Sequence, residues 1–288
     1  MFALLALLFG YLLIAGMIIV RAVHRPVPTP QPRHPTRHET PHATATIEII
    51  NVFKAFDHPI LEGVSLRVEQ AETIGVLGQS GTGKTVLLKL VAGFLKPDSG
   101  TILYQGQSIG RLSERGLLDF RKEVSYVFQA GAFFDFLNVR DNIAYPLRER
   151  GISDEDFIRE RVDYLLEAVE LQGMGQLSYD ELSVGAKKQV AIARAIANDP
   201  EVILYDEPTT GVDPLIGKSI SRLIRKLDQQ ERLTSIVVTH DLKCLEMVSD
   251  RIVLLRSGRI WFEGLPEEFE GSNDPYVAAF RTGRRVEA

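Results

Sequence analysis

One cysteine, Cys244, in 288 residues rules out an internal disulfide, and nothing in the composition argues for an oxidising compartment. A basic balance is also missing. The formal net charge is −5, and residues 43–288 taken alone carry −8. A globular part this acidic is poorly suited to gripping DNA or RNA through phosphates, so no nucleic-acid partner is expected. The chain has no internal repeat, which leaves room for one large α/β domain with an insertion, or two modest ones.

Charge is absent from residues 1–20. Phe2–Val20 is an uncharged run of nineteen residues. At about 1.5 Å each it makes a helix of about 28 Å, close to the ~30 Å hydrocarbon core, and is a candidate membrane span. A cleavable signal peptide normally starts with basic residues, whereas here the first one, Arg21, follows the run. A signal peptide and a mis-assigned start codon remain the alternatives. As a span, the run has Arg21, Arg25, Arg33 and Arg37 on its C-terminal side, which places that side in the cytoplasm. Residues 21–42 contain six prolines and four histidines with little to build a core, and read as a linker reaching up to roughly 70 Å. Those histidines lack the cysteine pattern of a metal site.

From residue 43 onward, short β-rich runs alternate with helical patterns, as in an α/β domain with a mainly parallel sheet. Thr73–Leu77, Val124–Phe128, Val202–Tyr205 and Ser235–Thr239 are the near-continuous apolar runs of buried strands. Ile47–Phe53, Val64–Val68 and Thr101–Tyr104 are half-buried or edge candidates. Between Asp135 and Leu182 the pattern turns wholly helical, suggesting an inserted lobe. Its clearest helix is predicted to start at Ser153, with Asp156 three residues on, and to bury Phe157, Ile158, Val162, Leu165, Leu166 and Val169.

Gly78-Gln79-Ser80-Gly81-Thr82-Gly83-Lys84-Thr85 fills every fixed position of the phosphate-loop pattern, between a predicted strand and a predicted helix. Glycines let successive backbone N–H groups converge on a polyphosphate, and the helix N-terminus adds partial positive charge there. Lys84 would reach the β- and γ-phosphates of ATP, and the Thr85 hydroxyl would bind Mg²⁺. A second constellation, Val202-Ile203-Leu204-Tyr205-Asp206-Glu207-Pro208, is an apolar strand ending in two carboxylates. Asp206 is the candidate Mg²⁺ ligand and Glu207 the group that orients the attacking water. A single phosphate loop means a single nucleotide-binding domain.

Six motifs in order make residues 46–270 resemble an ATP-binding-cassette (ABC) transporter ATPase. To the two above are added Gln129 in Tyr126-Val127-Phe128-Gln129, Leu182-Ser183-Val184-Gly185-Ala186, and Gly211-Val212-Asp213 with Thr239-His240. The resemblance implies that Gln129 contacts Mg²⁺ and water and faces a membrane subunit. It makes Asp213 the D-loop aspartate and His240 the switch histidine, and places Phe56 on adenine. Ser183 reads as a helix N-cap, and its hydroxyl with the Gly185 N–H can bind an anion. In the family that anion is the γ-phosphate held by a second copy, so a head-to-tail homodimer is implied. Val184 and Ala186 depart from the usual L-S-G-G-Q. A β-branched residue is strained if the backbone there requires φ > 0.

The implied fold is a P-loop NTPase (RecA-like) ABC ATPase core over residues 44–270, with an inserted helical subdomain at about 135–190. It is preceded by one predicted N-terminal transmembrane helix (1–20) and a Pro/His-rich linker (21–43), and followed by a tail (271–288). Three stretches, Phe128–Phe134, Asn138–Glu149 and Asn273–Val277 with Phe280, are similar to the Mla-type ATPases. Those work with permeases and MCE proteins in bacterial lipid transport. That likeness implies an ATPase using ATP and Mg²⁺, with an integral-membrane permease and an MCE-type lipid-binding protein as partners, at the cytoplasmic face of the inner membrane. The competing readings are a membrane-anchored ABC switch that signals without moving a solute, and an ABC ATPase for another substrate.

Overall fold

The computed structural model describes residues 45–282, so the candidate span at 1–20 and the linker at 21–43 lie outside the described residues. Among the described residues no helix is long and apolar enough to cross a membrane. A six-stranded sheet forms the centre, in the order β10-β9-β3-β8-β7-β6. Its strands are β3 (Thr73–Gly78), β6 (Val124–Val127), β7 (Val202–Asp206), β8 (Thr234–Thr239), β9 (Arg251–Arg256) and β10 (Arg259–Gly264). All neighbours run parallel except β10, which pairs antiparallel with β9. A second, antiparallel sheet has the order β2-β1-β4-β5, from β1 (Ile47–Ala55), β2 (Pro59–Val68), β4 (Ser99–Tyr104) and β5 (Gln107–Ser108).

The two-residue period of a strand divides the central sheet between two cores. Val202 and Leu204 of β7, with Ile236 and Val238 of β8, face the antiparallel sheet and helix α1 (Lys84–Val91). Ile203, Tyr205 and Val237 face the other way. There they meet α3 (Val139–Glu149), α4 (Glu155–Ala168), α5 (Val184–Ile196), α6 (Pro214–Glu231) and α7 (Leu242–Val248), whose apolar faces merge into one cluster. A strand covered on both faces has no room for polar alternation, which is why these runs are almost purely apolar. The remaining helices are α2 (Glu114–Glu123), α8 (Pro266–Gly271) and α9 (Pro275–Arg281).

Two details differ from the sequence reading. α4 is capped by Asp154 rather than Ser153, because the Asp154 carboxylate accepts from two amides, Asp156 N and Phe157 N, and its charge suits a helix N-terminus. Strands β9 and β10 extend the sheet beyond the predicted runs, joined by Ser257 and Gly258, both in the left-handed region (φ 46° and 72°).

Asp228 on the inner face of α6 is 4% exposed and accepts from Thr73 Oγ1 (3.1 Å) and Tyr205 OH (3.2 Å). Burial pushes its pKa from 3.8 to about 7, the hydroxyl donors only partly opposing this. The folded state therefore holds a proton that the unfolded chain releases, and stability declines as pH rises from about 4 through about 7. Asp228→Asn should flatten thermal stability across that window and raise Tm at pH 8 by roughly 2–6 °C. Thermal melts at pH 5 and 8 measure this; an unchanged pH dependence would count against it.

Candidate functional site

β3 ends at Gly78 and the chain turns through Gln79–Gly83 into α1. Gly81 and Gly83 carry φ of 84° and 99°, and a Cβ on Gly83 would stand 2.8 Å from Leu61 and 3.0 Å from the Ile60 carbonyl. Glycine at 83 is thus demanded twice, by backbone conformation and by the β2 strand against it. Thr82 closes the loop, its hydroxyl donating to Gln79 O at 2.9 Å. Ser80 and Gly81 lie exposed at the loop's tip. Lys84 is 7% exposed, and its ammonium donates to Gly78 O (2.8 Å) and Gln79 O (3.0 Å), with Glu207 Oε1 at 3.7 Å. Burial lowers its pKa although Glu207 and Asp206 pull the other way.

β7 delivers the two carboxylates to the same point. Asp206 is buried; its Oδ1 accepts from the Thr85 hydroxyl at 2.9 Å and its Oδ2 from Tyr126 OH at 2.8 Å. Burial, then the Asp206 bond and charge, drive the Tyr126 phenol well above its ordinary range, so it stays a donor. Glu207 leaves the strand at φ 49° while its N–H still donates to Val238 O (2.9 Å). That turn brings Oε2 to the hydroxyls of Thr210 (3.0 Å) and Thr239 (3.0 Å) and to His240 Nδ1 (2.9 Å). Burial raises the Glu207 pKa, but His240, Thr210 and Lys84 outweigh it and hold the carboxyl below its usual range. It is ionised at neutral pH, suited to orienting a water rather than to strong proton abstraction.

Lys84, Thr85, Asp206, Glu207 and His240, picked out in the sequence, therefore meet in one network. Tyr126, Thr210, Thr239 and Lys188 belong to it as well and were given no role by the sequence reading. Tyr126 and Thr239 lay inside quoted motifs, two residues from the end of a strand run and at the end of one, where side chains leave the sheet. Lys188 donates to Gln129 O at 2.5 Å. The Gln129 side chain is exposed and stands outside the network. So does Phe56, 58% exposed beyond β1, with Lys54 Nζ 5.4 Å from its ring centre.

Ser183 caps α5, accepting from Ala186 N at 3.1 Å, and Asp213 caps α6, accepting from Leu215 N (2.9 Å) and Ile216 N (3.1 Å). Both caps are exposed, and the turns that carry them touch: a Cβ on Gly185 would lie 2.7 Å from Ile216 Cγ2. Val184 is the first residue of α5 and is not among the residues with positive φ, so the strain expected of a β-branched residue there does not arise. Its side chain is 52% exposed.

The donors at this point fit Mg²⁺. Thr85 and Asp206 offer oxygens only, the ligands a hard cation takes, and would hold the ion. When bound, the ion would neutralise charge on the phosphates.

A glycine loop between a buried strand and a helix, with an acid pair at the end of a parallel strand one place further along the sheet, defines a P-loop ATPase. The chain belongs to the ABC transporter family, whose family model matches residues 61–210. It is 41% identical over 238 residues to the intermembrane phospholipid transport system ATP-binding protein MlaF of Haemophilus influenzae, across 82% of this chain and 90% of that one. With MlaF of Escherichia coli K12 it shares 38% identity, across 78% and 83%. Its fold superposes on the ATP-binding cassette MJ0796, solved as a dimer in a post-hydrolysis state bound to ADP and Pi, with a TM-score of 0.70 and 29% identity, covering 76% of this chain and 98% of that one.

Tyr126→Phe removes the donor to Asp206 Oδ2 while keeping the ring against Phe94 and Phe128. The Mg²⁺ concentration for half-maximal ATP hydrolysis should rise about 10-fold. A magnesium titration of activity reads this directly, and an unshifted midpoint would remove Tyr126 from any part in the metal site.

Proposed function

We propose that this ATPase is the energy-supplying subunit of a phospholipid transporter of the bacterial cell envelope, working at the cytoplasmic face of the inner membrane. The observation that carries the reading is the similarity to MlaF over four fifths of the chain, with the Lys84–Thr85–Asp206–Glu207–His240 network assembled. In this reading Phe56 stacks on adenine, and Gly78–Gly83 direct backbone N–H groups at the phosphates. Lys84 gives up its carbonyl partners for the β- and γ-phosphates, and Thr85, Asp206 and Gln129 hold Mg²⁺. The Glu207 carboxylate accepts a hydrogen bond from the attacking water, and His240 steadies that carboxylate.

Ser183 and Gly185 of a second copy complete each site, with Asp213 at the seam between copies, so the working form is a homodimer closed over two ATP molecules. An integral-membrane permease and an MCE-type lipid-binding protein are its partners. Phosphoryl transfer with a loose transition state depends chiefly on positioning, which suits a carboxylate whose pKa is held low.

Glu207→Gln should lower ATP turnover by at least about 10²-fold while retaining ATP and running as a dimer in size-exclusion chromatography with ATP. Turnover near that of wild type would sink the role given to Glu207. Purification of the native complex, followed by mass spectrometry of extracted lipid, should return a multi-span permease and phospholipid. A complex holding another solute would overturn the substrate class.

A further inference from the structure

Lys188 lies on the second turn of α5 and is 7% exposed. A lysine is rarely buried to this degree without partners, because its ammonium gives up water. Its partners here are backbone oxygens from two other segments: Gln129 O at 2.5 Å, just past β6, and Glu207 O at 3.5 Å, just past β7. Burial lowers its pKa, but the Glu207 and Asp206 carboxylates oppose the shift and favour the charged form.

One ammonium thus joins three pieces of chain that the proposed reaction needs in register. Ser183 and Gly185 are five and three residues before it on the same helix. Gln129 and Glu207 are the residues whose carbonyls it holds. We infer that Lys188 is a positioning residue for ATP hydrolysis, fixing the peptide planes of Gln129 and Glu207 relative to the signature turn at the start of α5. Its effect runs through the residues it holds. The inference rests on the composite-site reading above.

The test compares the full chain with Lys188→Met, which keeps length and apolar volume but not the donor, and Lys188→Arg, which keeps a charged donor. Lys188→Met should lose at least 10-fold in kcat while its ATP affinity stays within about threefold of wild type, and Lys188→Arg should recover at least a third of wild-type kcat. Hydrogen exchange at the amides of residues 128–132 should quicken in Lys188→Met with β3 unchanged. If Lys188→Met does not fold, Lys188→Gln takes its place under the same criteria. A kcat within twofold of wild type overturns the inference, as does failure of Lys188→Arg to improve on Lys188→Met. ATP affinity falling in proportion to kcat also overturns it, since that assigns the charge to binding rather than to position. Glu207→Gln is measured alongside: if it too turns over normally, the reading of the site has failed, whereas an impaired Glu207→Gln with a normal Lys188→Met refutes this inference alone.

Discussion

Two carboxylates at the exit of a strand buried on both faces set the terms for the whole arrangement. Asp206 and Glu207 emerge where little water reaches, and a carboxylate in such a place has to be met by donors or cations. Each surrounding element supplies one. α1 brings the Thr85 hydroxyl, β6 brings Tyr126, and the end of β8 brings Thr239 and His240. The strand order follows the same need: β7 lies between β6 and β8, so both neighbours can deliver side chains to its end. Satisfying the acids and assembling the site are therefore one requirement.

The cations share that environment. Lys84 and Lys188 both have pKa values lowered by burial, and both feel the same two carboxylates. Glu207 is shifted down as well, so the pairs keep each other charged despite limited solvent. In a poorly solvated cluster the arrival of a polyphosphate redistributes existing charge pairs rather than creating a new charged pocket. Lys84 is the group whose partners are easiest to exchange, since two of them are backbone carbonyls of the phosphate loop itself.

Much of this was readable in the chain. The β3, β7 and β8 runs are legible because burial on both faces leaves no polar alternation, and the phosphate loop because its glycines answer fixed steric demands. What escaped is of two kinds. Asp154 and Ser153 are both good caps, and the spacing to Asp156 favoured the wrong one; only the two amides that Asp154 reaches decide it. The β9–β10 hairpin was announced by Ser257-Gly258, a turn pair between β-rich runs, but β10 leaves alternate residues exposed and lacks the continuous apolar signal. Tyr126, Thr239 and Lys188 are a different matter. Their partners lie 80, 32 and 59 positions away in sequence, and side-chain pairing at that distance leaves no local pattern.

The close fit of Gly185 against Ile216 carries one more consequence. A methyl group of the α6 side occupies the space a side chain at 185 would fill, so the start of α5 and the start of α6 mesh like a tooth and its gap. Neither turn can slide past the other without the tooth leaving the gap. The surface that these two caps present is thereby geared to a single orientation, and a neighbour docking there would feel one stiff face rather than two loops.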